Sequence, residues 1–178
     1  METASFDLQY PIGRVVLPQN PLTKEERTIC IEQIANLPAQ LTAAAQRVGG
    51  EKLQHPYRPG GWNGRQVLHH LADVHLNFYL RFHLALTEAH PTIPVINQDA
   101  WVQLPDIAHT PITVSLTLLE ALHARWIILL WHLTDEQWQR SFFHPAYNRD
   151  FTLEQALVQA AWHGRHHLAH IESLAASN

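Results

Sequence analysis

Apolar residues recur at threes and fours in four stretches of this chain, and breaks rich in proline and glycine separate those stretches. That period belongs to amphipathic helices. Four such segments, with few strand signals and no internal repeat, predict an all-α four-helix bundle. At 178 residues the chain has the length of a single domain, 1–178, and can bury a substantial core. Residues 1–22 hold Pro11, Gly13, Pro18 and Pro21 without a sustained period, which reads as an extended arm that needs something to lie against.

Thr23, followed by Glu25 and Glu26, reads as the cap of a first helix carrying Ile29, Ile31, Ile34, Ala35 and Leu37. Pro38 is expected to kink it, and Gly49-Gly50 to stop it. A Pro/Gly-rich loop over 51–62 leads to Asn63, a cap with Gln66 at the third helical position. The second helix then runs through Val67, Leu71, Val74, Phe78, Phe82 and Ala85 to about Ala89. Residues 91–112 form a long connection marked by four prolines, which suggests a lid or a crossover. A third helix begins at Thr113 or Ser115 and runs to Leu133; Thr134 caps a short extra turn, and Phe142 to Asn148 form an aromatic loop with two short extended pieces. The last helix starts near Thr152 and runs towards Ala175, and Gly164 inside it points to a close helix crossing.

Only 16% of residues are charged against 46% hydrophobic, which excludes disorder. With six tryptophans as well, some surface is expected to be covered by a partner subunit. A formal charge of −4 with no basic cluster argues against a nucleic-acid partner. The single cysteine, Cys30, rules out an intrachain disulfide and a cysteine-based zinc site, and is expected to pack as a small apolar residue. Any metal therefore falls to the histidines. The first residues lack the pattern of a signal peptide, and no stretch approaches the roughly 20 apolar residues of a membrane span. A cytoplasmic protein without a membrane partner is expected.

Between Trp162 and His170 the last helix carries His163, His166, His167 and His170. Residues four apart share a helix face with Cβ atoms about 5–6 Å apart, so such a pair can meet one ion about 2.0–2.1 Å from each nitrogen. His166/His170 and His163/His167 both satisfy this spacing, and periodicity does not choose between them. A third imidazole is available on the second helix, where His69, His70 and His75 flank the apolar stripe. Three imidazoles leave coordination positions open, as catalytic sites do and closed structural sites do not. Taken singly, each histidine also fits an ordinary buried or solvated role; several at ligand spacing are harder to place that way.

Tyr10-Pro11-Ile12-Gly13, the loop Pro56 to Trp62, the run Gln66 to Asp73, His123 with Arg125-Trp126, and Trp162-His163 to His170 together resemble, in order and over nearly the whole chain, the YfiT-like branch of the DinB superfamily. The resemblance implies a DinB-like bundle, a homodimer, and one divalent metal ion per chain, zinc or nickel, held by three histidines at one end of the bundle. Matched residue by residue, it implies His70, His166 and His170 as the ligands. Arg165 stands where a relative carries a further histidine, which leaves those three intact and changes the charge near the ion. Members of the family are described as metal-dependent hydrolases, and related proteins transfer low-molecular-weight thiols such as bacillithiol or mycothiol. The resemblance thus implies an enzyme that activates either a thiol, as an S-transferase, or water, as a hydrolase, since a metal ion lowers the pKa of either nucleophile. The contrasting expectation is a non-catalytic metal-binding stress-response module whose ion only locks the bundle. An open coordination position beside a cavity separates the two.

For a small-molecule substrate the candidate contacts are Tyr57, Arg58, Trp62, Arg81, Trp101 and Arg125. Guanidinium groups hold carboxylates through paired bonds, and aromatic rings line pocket mouths, though surface or packing duty is the plainer role for each. Asp73, three residues after His70, and His163 are candidates to orient a ligand imidazole from behind. His144 and His163 also suit proton transfer. No phosphate-binding glycine loop, dinucleotide fingerprint or Ser-His-Asp order is present.

Overall fold

The computed structural model describes residues 7–176. In chain order the helices are α1 (Lys24–Val48), α2 (Gly64–Thr87), the short α3 (Gln98–Trp101) and α4 (Pro105–His109), α5 (Ile112–Trp131), the short α6 (Asp135–Trp138) and α7 (Leu153–Ala176). Thr23, Asn63 and Thr134 each accept a bond from the third helical amide, and Glu26, Gln66 and Gln137 reach back to the cap amide. These reciprocal caps satisfy donors that a helix start leaves free, and they fix the starts read from the sequence.

The long helices α1, α2, α5 and α7 form the bundle. α1 packs on α5 and α7, and α2 packs on the same two. Helices consecutive in the chain, α1 and α2 or α5 and α7, therefore lie across the diagonals. Val67, Leu71, Val74, Phe78, Phe82 and Ala85 of α2 are all buried, as the period of threes and fours requires. At Gly164 a Cβ atom would collide with the Leu37 side chain. The glycine thus lets α7 approach α1 closely, as its place in the sequence suggested.

Three details depart from the sequence reading. α2 ends at Thr87 and α5 at Trp131, each two residues short of its expected end. Ile29 is exposed, because the buried stripe of α1 begins at Ile31. The connection over 91–112 contains α3 and α4 and is not featureless. In addition, α5 is long and apolar enough to cross a membrane, with mean hydropathy 1.4 over an 18-residue window, against the expectation that no stretch approaches this. It packs as a bundle helix, burying Leu116, Leu119, Leu122 and Trp126 against its neighbours.

The aromatic loop is a hairpin of β1 (Ser141–His144) and β2 (Arg149–Thr152), with Phe142 opposite Phe151. The stretch after α2 joins it, since Phe143 donates to Pro91 O and Ile93 donates to Phe143 O. The arm lies along α7: Gln155 donates to Pro18 O and Trp162 to Gly13 O.

Candidate metal centre

One face of α2 carries His70, Val74, Phe78 and Arg81 at offsets of four, eight and eleven; the last three line a cavity of about 740 Å³, and His70 is buried behind its wall. α7 contributes Trp162, His163, His166, His167 and His170, the 51–62 loop Tyr57, Arg58 and Trp62, the hairpin His144 and Tyr147, and the arm Tyr10.

At the wall of this cavity, where His163 and His167 line it, His70, His163 and His167 each offer a ring nitrogen within 4.8 Å of the other two. His70 Nε2 and His163 Nε2 are 3.2 Å apart, close to the edge of about 3.3–3.4 Å expected between two ligands about 2.0–2.1 Å from one tetrahedral ion. A second group, His166, His167 and His170, also lies within 4.8 Å. The trio implied by the resemblance, His70, His166 and His170, is divided between these groups: His70 meets His163 and His167, while His166 and His170 share only His167 with them. The two pairs differ by three residues, a rotation of about 60° at roughly 100° per residue. That rotation turns His163 and His167 towards α2 and His166 and His170 towards the arm and the 51–62 loop.

Hydrogen bonds then decide which nitrogens are free, since a carbonyl can only accept. Pro38 has no N–H, so the carbonyl four residues before it, Ile34 O, lacks its helical donor. His123 Nδ1–H supplies one at 2.7 Å. His123 Nε2 must then accept from His75 Nδ1–H at 3.0 Å, and His75 Nε2 from His163 Nδ1–H at 3.3 Å. The relay leaves His163 Nε2 bare, facing His70. A second relay starts at the arm. His170 Nε2–H donates to Leu8 O at 3.2 Å, so His170 Nδ1 accepts from His167 Nδ1–H at 3.3 Å, which leaves His167 Nε2 bare.

These rings are neutral at neutral pH. Burial, reinforced by neighbouring imidazoles, pushes His75, His163 and His167 well below the usual histidine value. Burial likewise lowers His70 to about 4, with His166 adding to it, and lowers His123 to about 4. Neutral imidazoles, two of them with bare Nε2 atoms at His163 and His167 and the third, His70 Nε2, 3.2 Å from His163 Nε2, are what a divalent ion requires, so the residues present fit such an ion.

Tyr57 stacks on His170 with ring centroids 3.9 Å apart, and Trp62 meets His70 edge-on at 4.7 Å. Tyr57, Arg58, Trp62 and Arg81 thus all line the cavity, Tyr57 and Trp62 against the imidazoles, whereas Trp101 and Arg125 are outside the lining. Arg125 is exposed on α5, with its guanidinium 5.9 Å from the Tyr79 ring centre. Asp73 bonds to no imidazole; burial, with Asp106 adding to it, raises its carboxyl to about 6. His69 turns away to Ser115 Oγ at 2.7 Å. The sequence placed His75 only among the second-helix imidazoles and gave no sign of its part in the relay. The one signal in its favour was a fully buried imidazole on a bundle helix, which must find a partner.

The DinB superfamily profile matches residues 33–171. Proteins named "Putative metal-dependent hydrolase" from Bacillus cereus (strain 03BB102) and Bacillus thuringiensis subsp. konkukian (strain 97-27) are each 46% identical over 168 residues, which is 94% of this chain and 95% of the relative. A solved structure, YfiT from Bacillus subtilis, described as a probable metal-dependent hydrolase with an unusual four-helix bundle topology, superposes with a TM-score of 0.90. It is 44% identical, and the match covers 94% of this chain and 95% of that one.

Proposed function

The chain belongs to the DinB superfamily, and from that premise we propose that it is a metal-dependent enzyme of the hydrolase kind, acting on a small molecule. One divalent ion, zinc or nickel, is held by the Nε2 atoms of His70, His163 and His167. The observation that carries this reading is the pair of relays, because each ends on a backbone carbonyl and each leaves one α7 imidazole with its bare nitrogen towards α2. On this reading His166 and His170 are not ligands. His170 instead holds His167 in position, with Tyr57 stacked on its ring.

Such an ion supplies Lewis acidity, polarising a substrate group or lowering the pKa of the nucleophile that reaches it. The chain's own residues do the rest. His75 and His123 hold His163 in one tautomer, and Tyr57 and Trp62 shield the imidazoles from bulk water. His144, buried on the hairpin with Nδ1 unpaired, can take or give a proton across the cavity. A volume of about 740 Å³ also has room for a low-molecular-weight thiol beside an electrophile, which supports thiol transfer as the second reading. His163 and His167 line an open cavity, which disfavours a purely structural ion, since protein would enclose one.

The test is elemental analysis of purified variants followed by an ester, amide and thiol-plus-electrophile screen of metal-loaded protein. His163→Ala and His167→Ala lose the metal, and His69→Ala and His166→Ala keep it; retention by the first two variants refutes the assignment. We also propose a homodimer through the exposed apolar stripe Val114, Leu118 and Ile128 of α5. Light scattering of Leu118→Lys checks it, with a monomer expected.

A further inference from the structure

Arg81 is the one buried arginine among the described residues, at 7% exposure. Its Nε has no hydrogen-bond partner, and no carboxylate of the described residues lies within salt-bridge distance of it. The other arginines held against the bundle are all engaged. Arg27 pairs with Asp135 and Glu154, Arg65 donates to the carbonyls of Ile107, Ala108 and Thr110, and Arg140 donates to those of Ala85 and Glu88. A guanidinium largely withdrawn from bulk water without a counterion is unfavourable. Burial lowers Arg81 only to about 10, so it stays charged at neutral pH.

Among the described residues, its surroundings offer no anion. His144, Tyr147 and His163 face it across the cavity, and its charge helps to lower both imidazoles. Asp99, the one carboxylate in the lining among the described residues, is exposed on the short helix α3 at the rim. Arg58 stands at the mouth, half-buried, and donates to Pro59 O.

We propose that Arg81 anchors a carboxylate, so that the substrate is a small carboxylic acid whose reactive end reaches towards His70, His163 and His167. The reactive end rests on the metal reading above; the anchor does not. A single guanidinium matches one carboxylate in charge and in paired geometry, and supplies too little charge for a doubly charged phosphate. Eleven residues separate His70 from Arg81 on one face of α2, about 16 Å at roughly 1.5 Å per residue. Helical side chains lean towards the N-terminus, so the Arg81 stem shortens that gap. The molecule spans several bonds between its carboxylate and its reacting group.

The experiment titrates succinate and its neutral diamide, succinamide, into the full-length protein, metal-loaded and metal-free, by calorimetry. Metal content is measured in parallel. Wild type binds succinate in both states and at least about 10-fold more tightly than succinamide. Arg81→Gln weakens succinate by about 10- to 100-fold, the worth of a paired charge-assisted contact, with metal content unchanged and a thermal midpoint no lower. Arg81→Lys recovers part of the affinity. The comparison of succinate with succinamide on wild type needs no variant and stands if Arg81→Gln does not fold.

Equal binding of succinate and succinamide overturns the proposal, as does equal succinate binding by wild type and Arg81→Gln, or no succinate binding at millimolar concentration. Succinate binding that requires the metal and ignores Arg81 places the anion on the ion; the anchor then falls and the metal reading stands. Arg81-dependent succinate binding in a protein that retains no metal has the opposite meaning.

Discussion

His123→Phe tests the longer relay at its middle. Phenylalanine fills a similar volume on α5, where His123 is 1% exposed, but neither donates to Ile34 O nor accepts from His75 Nδ1. In the native chain the opposite tautomers would leave Ile34 O buried and unpaired, which costs about 1–3 kcal/mol. That bias is what keeps the proton on His163 Nδ1 and off Nε2. Without it, His75 can carry its proton on Nε2 and donate to His163 Nδ1, so that His163 Nε2 is protonated and unable to bind a metal. At 1.4 kcal/mol per factor of ten, 1–3 kcal/mol is about 5- to 150-fold, which brackets the roughly 10- to 100-fold typical of losing an outer partner to a metal-bound imidazole. The assay is zinc affinity by chelator competition, with the His163 tautomer read from its imidazole nitrogen shifts. Ser115→Ala, which touches only His69, is the control and leaves affinity unchanged. Unaltered zinc affinity in folded His123→Phe protein would show that the relay does not set the ligand.

Pro38→Ala supplies an amide to Ile34 O and competes with His123. Thermal midpoint is expected to rise, because proline in a helix interior costs about 3 kcal/mol, while zinc affinity falls several-fold; a rise in both sinks the coupling. Gly164→Ala gains about 1 kcal/mol of helix propensity but collides with Leu37, and overpacking costs about 1–3 kcal/mol. A net loss of stability in chemical denaturation is expected, and a net gain would show that α1 and α7 can part freely. Acid unfolding of the metal-free protein follows from the lowered histidines. His123 and His144 sit at about 4 in the fold and His75 well below the usual value, burial being the first cause in each, whereas the unfolded chain titrates near 6.5. The unfolded state therefore binds more protons between those values. Stability is fully present above about 6.5 and is lost as pH falls from there towards 4. Denaturation midpoints that do not change between pH 7 and 5 would contradict this.

The bundle was legible because burial in helices repeats with the helical period. Val67 to Ala85 on α2 showed that stripe, and Asn63 with Gln66 marked its start. The candidate site was legible in its residue types, while its register stayed open between two groups. His163/His167 and His166/His170 are the same pattern shifted by three, and only the angle at which α7 meets α2 separates them. That angle depends on contacts remote in sequence, such as Gly164 against Leu37. His75 and His123 were hidden for a related reason. A histidine on an apolar stripe does not announce its partner, and here the relay ends on a carbonyl of a third helix, exposed by a proline that read from the sequence only as a kink.

The arm's carbonyl at Leu8 ends the shorter relay, so on the proposed ligand set docking of the N-terminal segment and capture of the ion would be thermodynamically coupled. Reciprocity requires that whatever lifts the segment loosens the ion by the same factor by which the ion tightens the segment. Tyr10 also lines the cavity, so a ligand pressing on that ring would be felt at His167 without ever touching it.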